Sequence, residues 1–133
     1  MKKVKYSLAK FNKDSVLLAN QIKKLFEPEI IVMLVRGGVS VGGWITQYFD
    51  TKSIYTSSCV PEGGVSGKVL FVSDLCRSSE TIKKVINSTL SNSKVVDYRL
   101  ACIHYYPNES DFVPDFYVHD VSSSIWIVYP WEI

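Results

Sequence analysis

Three stretches of the chain hold side chains able to do chemistry. The first is Ser73-Asp74-Leu75-Cys76-Arg77-Ser78-Ser79-Glu80-Thr81. It sets carboxylates, a thiol, a guanidinium and hydroxyls between an apolar run, Val69 to Val72, and apolar residues at helical spacing, Ile82, Val85, Ile86 and Leu90. Open α/β sheets bind ligands at such strand-to-helix turns, beyond the carboxyl ends of the strands. The unpaired N–H groups in the first turn of the helix suit an anion. The same residues also suit plain capping, with Ser78 or Ser79 closing the helix and Glu80 favouring its N-terminal dipole. Cys76 is the one cysteine in this turn, and the adjacent Arg77 has the charge that lowers a thiol pKa.

The second stretch is Arg36-Gly37-Gly38, which follows the apolar run Ile30 to Val35. Glycines let the backbone turn tightly and approach a ligand closely, and an arginine can hold phosphate oxygens through charge-assisted hydrogen bonds. An ordinary strand-to-helix turn fits the same letters. The third stretch is the aromatic tail, Pro114-Asp115-Phe116-Tyr117-Val118 and then Trp126-Ile127-Val128-Tyr129-Pro130-Trp131-Glu132. Tryptophans in such a tail can be ligand-facing, or core and interface aromatics.

The elements that must position these residues read as strands alternating with helices. Val4 to Leu8 is a short strand or an ordered arm. Asp14 is placed to cap a helix from Ser15 to Phe26, which Glu27-Pro28-Glu29 stops. Val41, Trp44, Ile45, Tyr48 and Phe49 have helical spacing. Ser53 to Ser57 is a short strand, residues 58–67 a glycine-containing loop long enough for a lid, and Val95 to His104 another strand. A polar loop, Pro107 to Pro114, leads into the tail. This alternation predicts a mainly parallel sheet with helices on its faces. The strands at Ile30 to Val35, Val69 to Ser73 and Val95 to His104 should lie parallel in one sheet. The tail should form a small β-rich piece over the strand ends.

The totals narrow the function classes. A length of 133 residues suits one domain, 1–133, with a real core. A net charge of +2, with no basic stripe interleaved with aromatics, points away from nucleic acid. The longest apolar run is too short to span a bilayer, and Met1-Lys2-Lys3 leads into no signal-peptide core. No membrane partner and a cytoplasmic location are therefore expected. Cys59, Cys76 and Cys102 suggest neither a disulfide framework nor a zinc site. Gly63-Gly64-Val65-Ser66-Gly67-Lys68 is one residue short of a nucleotide P-loop and precedes a strand instead of following one. His104 and His119 lack partners at metal spacing and are read as structural.

Turn, glycine loop and tail together resemble the type I phosphoribosyltransferases, in their xanthine-guanine and hypoxanthine branch, from about Ile30 to Ile133. The resemblance implies an α/β fold, a mainly parallel sheet flanked by helices with a small C-terminal β-rich hood. It implies transfer of a 5-phosphoribosyl group between diphosphate and a purine base, with Mg²⁺. Phosphoribosyl diphosphate and a purine base or nucleotide would be the partners, and the chain would form a homo-oligomer. Arg36, Gly37 and Gly38 match the pyrophosphate loop, in which the peptide after the first residue is often cis. Asp74 matches the second acid of the diphosphate-sugar motif, which serves ribose and metal. Ser78, Ser79, Glu80 and Thr81 match the 5′-phosphate cradle, with Ser79 in place of a glycine.

Ser73 replaces the first acid of the motif, Cys76 sits within its frame, and Arg77 replaces the third acid, which lies near the base nitrogen. Trp126 matches the aromatic that stacks on the base, and Ile127 the backbone that reads its edge. Tyr106 stands where the family has a lysine before proline. Each lost electrostatic contact costs about 3 kcal/mol, roughly a hundredfold in rate. Two readings follow: a divergent, weakened purine phosphoribosyltransferase with Arg36, Asp74 and Arg77 at its centre, or a noncatalytic protein of this fold that binds a nucleotide, phosphate or protein partner. Arg77 is expected to pair with Asp74 or Glu80, or to bind a phosphate oxygen.

Overall fold

The computed structural model describes residues 1–91 and 93–132; Asn92 and Ile133, the last residue of the tail, lie outside the described residues. In chain order the elements are β1 Lys2–Lys5, α1 Leu8–Leu25, β2 Ile30–Met33, α2 Gly37–Ile45, β3 Ser53–Thr56, β4 Ser66–Val72, β5 Leu75–Cys76, α3 Ser79–Ser91, β6 Lys94–Tyr105, β7 Phe116–Asp120 and β8 Ile125–Val128. The strands expected at Ile30 to Val35, Val69 to Ser73 and Val95 to His104 form the middle of a six-stranded sheet, in the order β3-β2-β4-β6. Every pairing in it is parallel. β4 pairs with the first part of β6, and β5 continues the line of β4 by pairing Leu75 and Cys76 with His104 and Tyr105. β7 takes the other edge of β6.

β2, β4 from Val69 to Val72 and β6 from Leu100 to Ile103 are continuous in apolar residues because both faces of the sheet are covered there. Alternate residues of β4 serve opposite faces. Leu70 and Val72 pack with Leu18 and Ile22 of α1 and Val41 and Ile45 of α2. Val69 and Phe71 pack with Ile82 and Ile86 of α3.

Helix α1 starts earlier than expected. Ser7, in extended geometry, caps it by accepting from the Lys10 N–H at 3.1 Å. Asp14 lies within the helix, buried, and accepts from the Tyr6 hydroxyl at 2.6 Å; His119 Nε2 is 2.7 Å from the same oxygen. The cap assignment therefore moves to Ser7, because Asp14 is committed to partners elsewhere in the chain. Phe26, the C-cap, turns extended two residues ahead of Pro28, and the proline bars Glu27 from continuing the helix. Helix α2 ends at Ile45 and tightens into a 3₁₀ turn, Thr46–Tyr48, so the apolar spacing through Phe49 covers two kinds of turn.

A hood stands apart from the main sheet, but the tail builds only half of it. β8 pairs in parallel with β1, Lys2 opposite Ile125 and Lys5 opposite Val128. The Phe116 to Val118 piece belongs to β7 in the main sheet, where Phe116 is buried against β6. Tyrosines tie the hood down. The Tyr106 hydroxyl donates to the Ile125 carbonyl at 3.0 Å, and the Tyr129 hydroxyl lies 2.8 Å from His104 Nδ1.

Candidate functional site

The site forms where β2 and β4 end side by side. Beyond β2, the Leu34 N–H donates to the Val72 carbonyl at 2.8 Å and the Gly38 N–H donates back to the Leu34 carbonyl at 2.9 Å. The Arg36 loop is thereby folded against the end of β4. The one cis peptide among the described residues joins Val35 to Arg36, one bond earlier than the resemblance implies. A Cβ on Gly37 would overlap the Asp74 carboxylate, and one on Gly38 would overlap the Val72 carbonyl oxygen. Both glycines are therefore needed for this close approach. Arg36, Gly37, Ser40, Asp74, Trp131 and Glu132 line a cleft of about 740 Å³.

Asp74 is the central acid of this cleft. Burial raises its pKa above the usual carboxylate range, and the like charge of Glu132 adds to the rise. The Leu75 N–H, donating at 2.8 Å, opposes it. The Trp131 indole also favours the ionised form. Its N–H is buried and has no partner within full hydrogen-bonding distance among the described residues, so it approaches Asp74 without completing a bond. Trp131 is held by stacking on Tyr129 at 4.8 Å and by the edge of Phe11 at 5.0 Å. Ser73 is buried and its hydroxyl donates to the Leu75 carbonyl at 2.9 Å, so it closes its own turn.

Arg77 pairs with neither Asp74 nor Glu80. Its Nε lies 2.7 Å from Glu109 Oε2 and its Nη2 donates to Glu109 Oε1 at 3.3 Å, a two-pronged ion pair. The guanidinium carbon lies 4.9 Å from the Tyr106 ring centroid and 5.1 Å from that of Trp126. A planar cation stacks well on such rings. The rings expected to meet a ligand thus meet Arg77, and the Tyr106 hydroxyl is already bonded to Ile125. Ile127 is buried, its side chain in the core.

The first turn of α3 also has a resident carboxylate. Asp111 accepts from the buried Ser79 hydroxyl and pairs with Lys83 Nζ at 2.6 Å. The Lys83 hydrogen bond holds the Asp111 pKa below the usual range. Ser78, Glu80 and Thr81 are exposed. Arg77, Ser78, Ser79, Glu80, Lys83, Glu109 and Asp111 line a second cleft of about 570 Å³. Cys76 faces inward. It is buried, its sulfur lies 3.3 Å from the Ser110 hydroxyl, and burial raises its pKa. The lowering expected from Arg77 does not occur, because that guanidinium is turned to Glu109.

The structure therefore gathers Arg36, Gly37 and Asp74 at one cleft and Arg77, Ser78, Ser79 and Glu80 at another, with Trp126 and Tyr106 at Arg77. Glu109, Asp111, Lys83 and Ser40 were not singled out from the sequence, and Glu132 was read only as the end of the aromatic tail. The only signal for the first two was the polar loop between Pro107 and Pro114. Among the described residues no group of three or more His, Cys, Asp or Glu converges as a metal cage. Mg²⁺ needs no such cage, since one or two carboxylates with ligand phosphates suffice. Asp74 and Glu132 on one cleft fit that donor set.

No family model matches the chain, and no curated protein matches it in sequence. Solved structures do match. A purine phosphoribosyltransferase from Pyrococcus horikoshii Ot3 superposes with TM-score 0.87 at 21% identity, over 100% of this chain and 96% of that one. A hypothetical protein from Neisseria gonorrhoeae, solved with bound ppGpp, gives TM-score 0.84 at 17% identity, over 99% and 90%. The Helicobacter pylori xanthine-guanine-hypoxanthine phosphoribosyltransferase gives TM-score 0.77 at 20% identity, over 98% and 94%. The chain has the type I phosphoribosyltransferase fold and resembles the purine branch in structure. Among the described residues no helix is long and apolar enough to cross a membrane.

Proposed function

We propose that the protein is a purine-type phosphoribosyltransferase of low turnover, moving a 5-phosphoribosyl group between diphosphate and a purine base. The observation that carries this reading is the Arg36 loop, closed so tightly on Asp74 that Gly37 has no room for a side chain. In the reaction, positive charge grows on the ribose and negative charge on the departing diphosphate. Arg36 and the N–H groups at the start of α2 would hold the diphosphate oxygens. Asp74 would serve the ribose side. Mg²⁺, held by Asp74 together with diphosphate oxygens, would supply charge neutralisation on the leaving group. The low rate follows from what the turn lacks: the Ser73 hydroxyl is folded back on Leu75, and a guanidinium replaces the acid near the base.

The test is conversion of radiolabelled purines with phosphoribosyl diphosphate and Mg²⁺. Slow product formation, lost in Asp74→Asn, is expected; none at high enzyme concentration would end this reading. A second reading has its own support. Arg77 lies against Tyr106 and Trp126, where a base would stack, and the similar Neisseria protein was solved with bound ppGpp. Nucleotide binding with no turnover would favour a noncatalytic nucleotide-binding protein.

A further inference from the structure

The loop between β6 and β7, residues 106–115, brings two carboxylates onto the turn before α3. Glu109 engages Nε and Nη2 of Arg77, the edge with which a guanidinium would grip phosphate. Asp111 engages the Ser79 hydroxyl and the Lys83 ammonium. An anion arriving at this turn finds both cations paired. The two ion pairs are unequal. The Arg77 and Glu109 side chains are 18% and 33% exposed, whereas those of Lys83 and Asp111 are 44% and 69% exposed and screened by solvent. Stacking on Tyr106 and Trp126 holds the first pair further.

We infer that this loop is an internal stand-in for the ligand's phosphate: Glu109 and Asp111 occupy the Arg77 to Lys83 turn and must be displaced for a nucleotide to bind. The inference rests on the proposed nucleotide reading of the site and adds how the site is regulated. Displacement lowers the apparent affinity in proportion to the fraction of molecules with the loop docked. A loop docked in about nine molecules of ten weakens binding about tenfold. Release of Arg77 would also uncover the Trp126 ring, so phosphate and base would be admitted together.

The experiment compares wild type with Glu109→Gln, Asp111→Asn and the double variant. Guanosine 5′-monophosphate is titrated by calorimetry and by tryptophan fluorescence, with guanosine as the phosphate-free probe and circular dichroism as the check of folding. The double variant should bind the monophosphate about tenfold more tightly or better. Glu109→Gln should account for most of the gain, and guanosine should gain less than the monophosphate. Asp50→Asn with Glu62→Gln removes the same two charges from exposed positions outside both clefts and should give under threefold; a gain equal to that of the double variant would reduce the effect to bulk charge and overturn the inference.

Monophosphate affinities equal in wild type and double variant would also overturn it. Phosphoribosyl diphosphate, whose diphosphate is assigned to the Arg36 loop, separates the two possible failures. If it binds while monophosphate binding is unchanged by the variants, the stand-in falls alone. If neither ligand binds either protein, the nucleotide reading falls with it.

Discussion

Position 77 shows how a single residue redirects a site. An acid at this position would face Glu109 instead of pairing with it, since Arg77 and Glu109 form a two-pronged ion pair. Ser73→Asp with Arg77→Asp should therefore leave transferase activity low, because it places like charges in contact. Adding Glu109→Gln should raise activity above wild type, and radiolabelled purine conversion by the two variants decides. Asp74 offers an opposite kind of change. Its pKa is raised by burial, so its contribution to stability is present below the ordinary value of 3.8 and is lost as pH rises through the raised one. Asp74→Asn keeps the acceptor for the Leu75 N–H and removes the buried charge. Thermal unfolding should show a gain of about 1 kcal/mol at pH 7, smaller at pH 4, with transfer abolished. Asp74 and Arg77 were legible in the sequence because they lie in one short frame. Glu109 and Asp111 were not, since each is 32 residues from its partner in the turn, at Arg77 and Ser79.

At the scale of elements, periodicity carried far and long-range polar contacts did not. The apolar runs announced β2 and β4 because strand segments buried on both faces leave no room for polar letters, whereas β6 carries Asp97 and Arg99 in its partly exposed first half and is buried only from Leu100 on. The start of α1 was misplaced because Ser7 and Asp14 are both capping residues, and Asp14 is instead held inside the helix by Tyr6 and by His119, 105 residues away. The joint between hood and sheet depends on another histidine. Burial, and then the charge of His119, lower the His104 pKa from 6.5 to about 4. The unfolded chain takes up this proton near 6.5 and the folded chain only near 4. Stability from this group is thus complete above about pH 6.5 and is lost as pH falls towards 4, by roughly 3 kcal/mol. Because His104 Nδ1 meets the Tyr129 hydroxyl, acid should loosen the hood first. His104→Asn should flatten the loss of stability between pH 6.5 and 4. Urea unfolding across that range tests it, and an unchanged slope would assign the acid sensitivity elsewhere.

At the scale of the molecule, the two ends of the described chain meet to cover the site. The aromatic tail made the hood legible, but Lys2-Lys3-Val4-Lys5 carries too weak an alternation to announce β8's partner. That partner matters because, among the described residues, β8 has no other strand beside it. The Lys2 N–H donates to the Ser124 carbonyl and the Tyr6 N–H to the Val128 carbonyl, each at 2.9 Å, so β1 is bonded along the whole of β8. β8 carries Trp126 against Arg77, and the chain beyond it carries Trp131 to Asp74. Deleting Lys2 to Lys5 would leave β8 with unpaired backbone groups, at about 1 kcal/mol for each hydrogen bond lost. The main sheet shares no strand with β1 and should survive. The shortened protein should therefore keep its far-ultraviolet circular dichroism, lose much of its near-ultraviolet aromatic signal, and bind guanosine 5′-monophosphate at least tenfold more weakly. Unchanged binding would mean that Trp126 and Trp131 are held by the tyrosine contacts alone and that β1 is dispensable to the site.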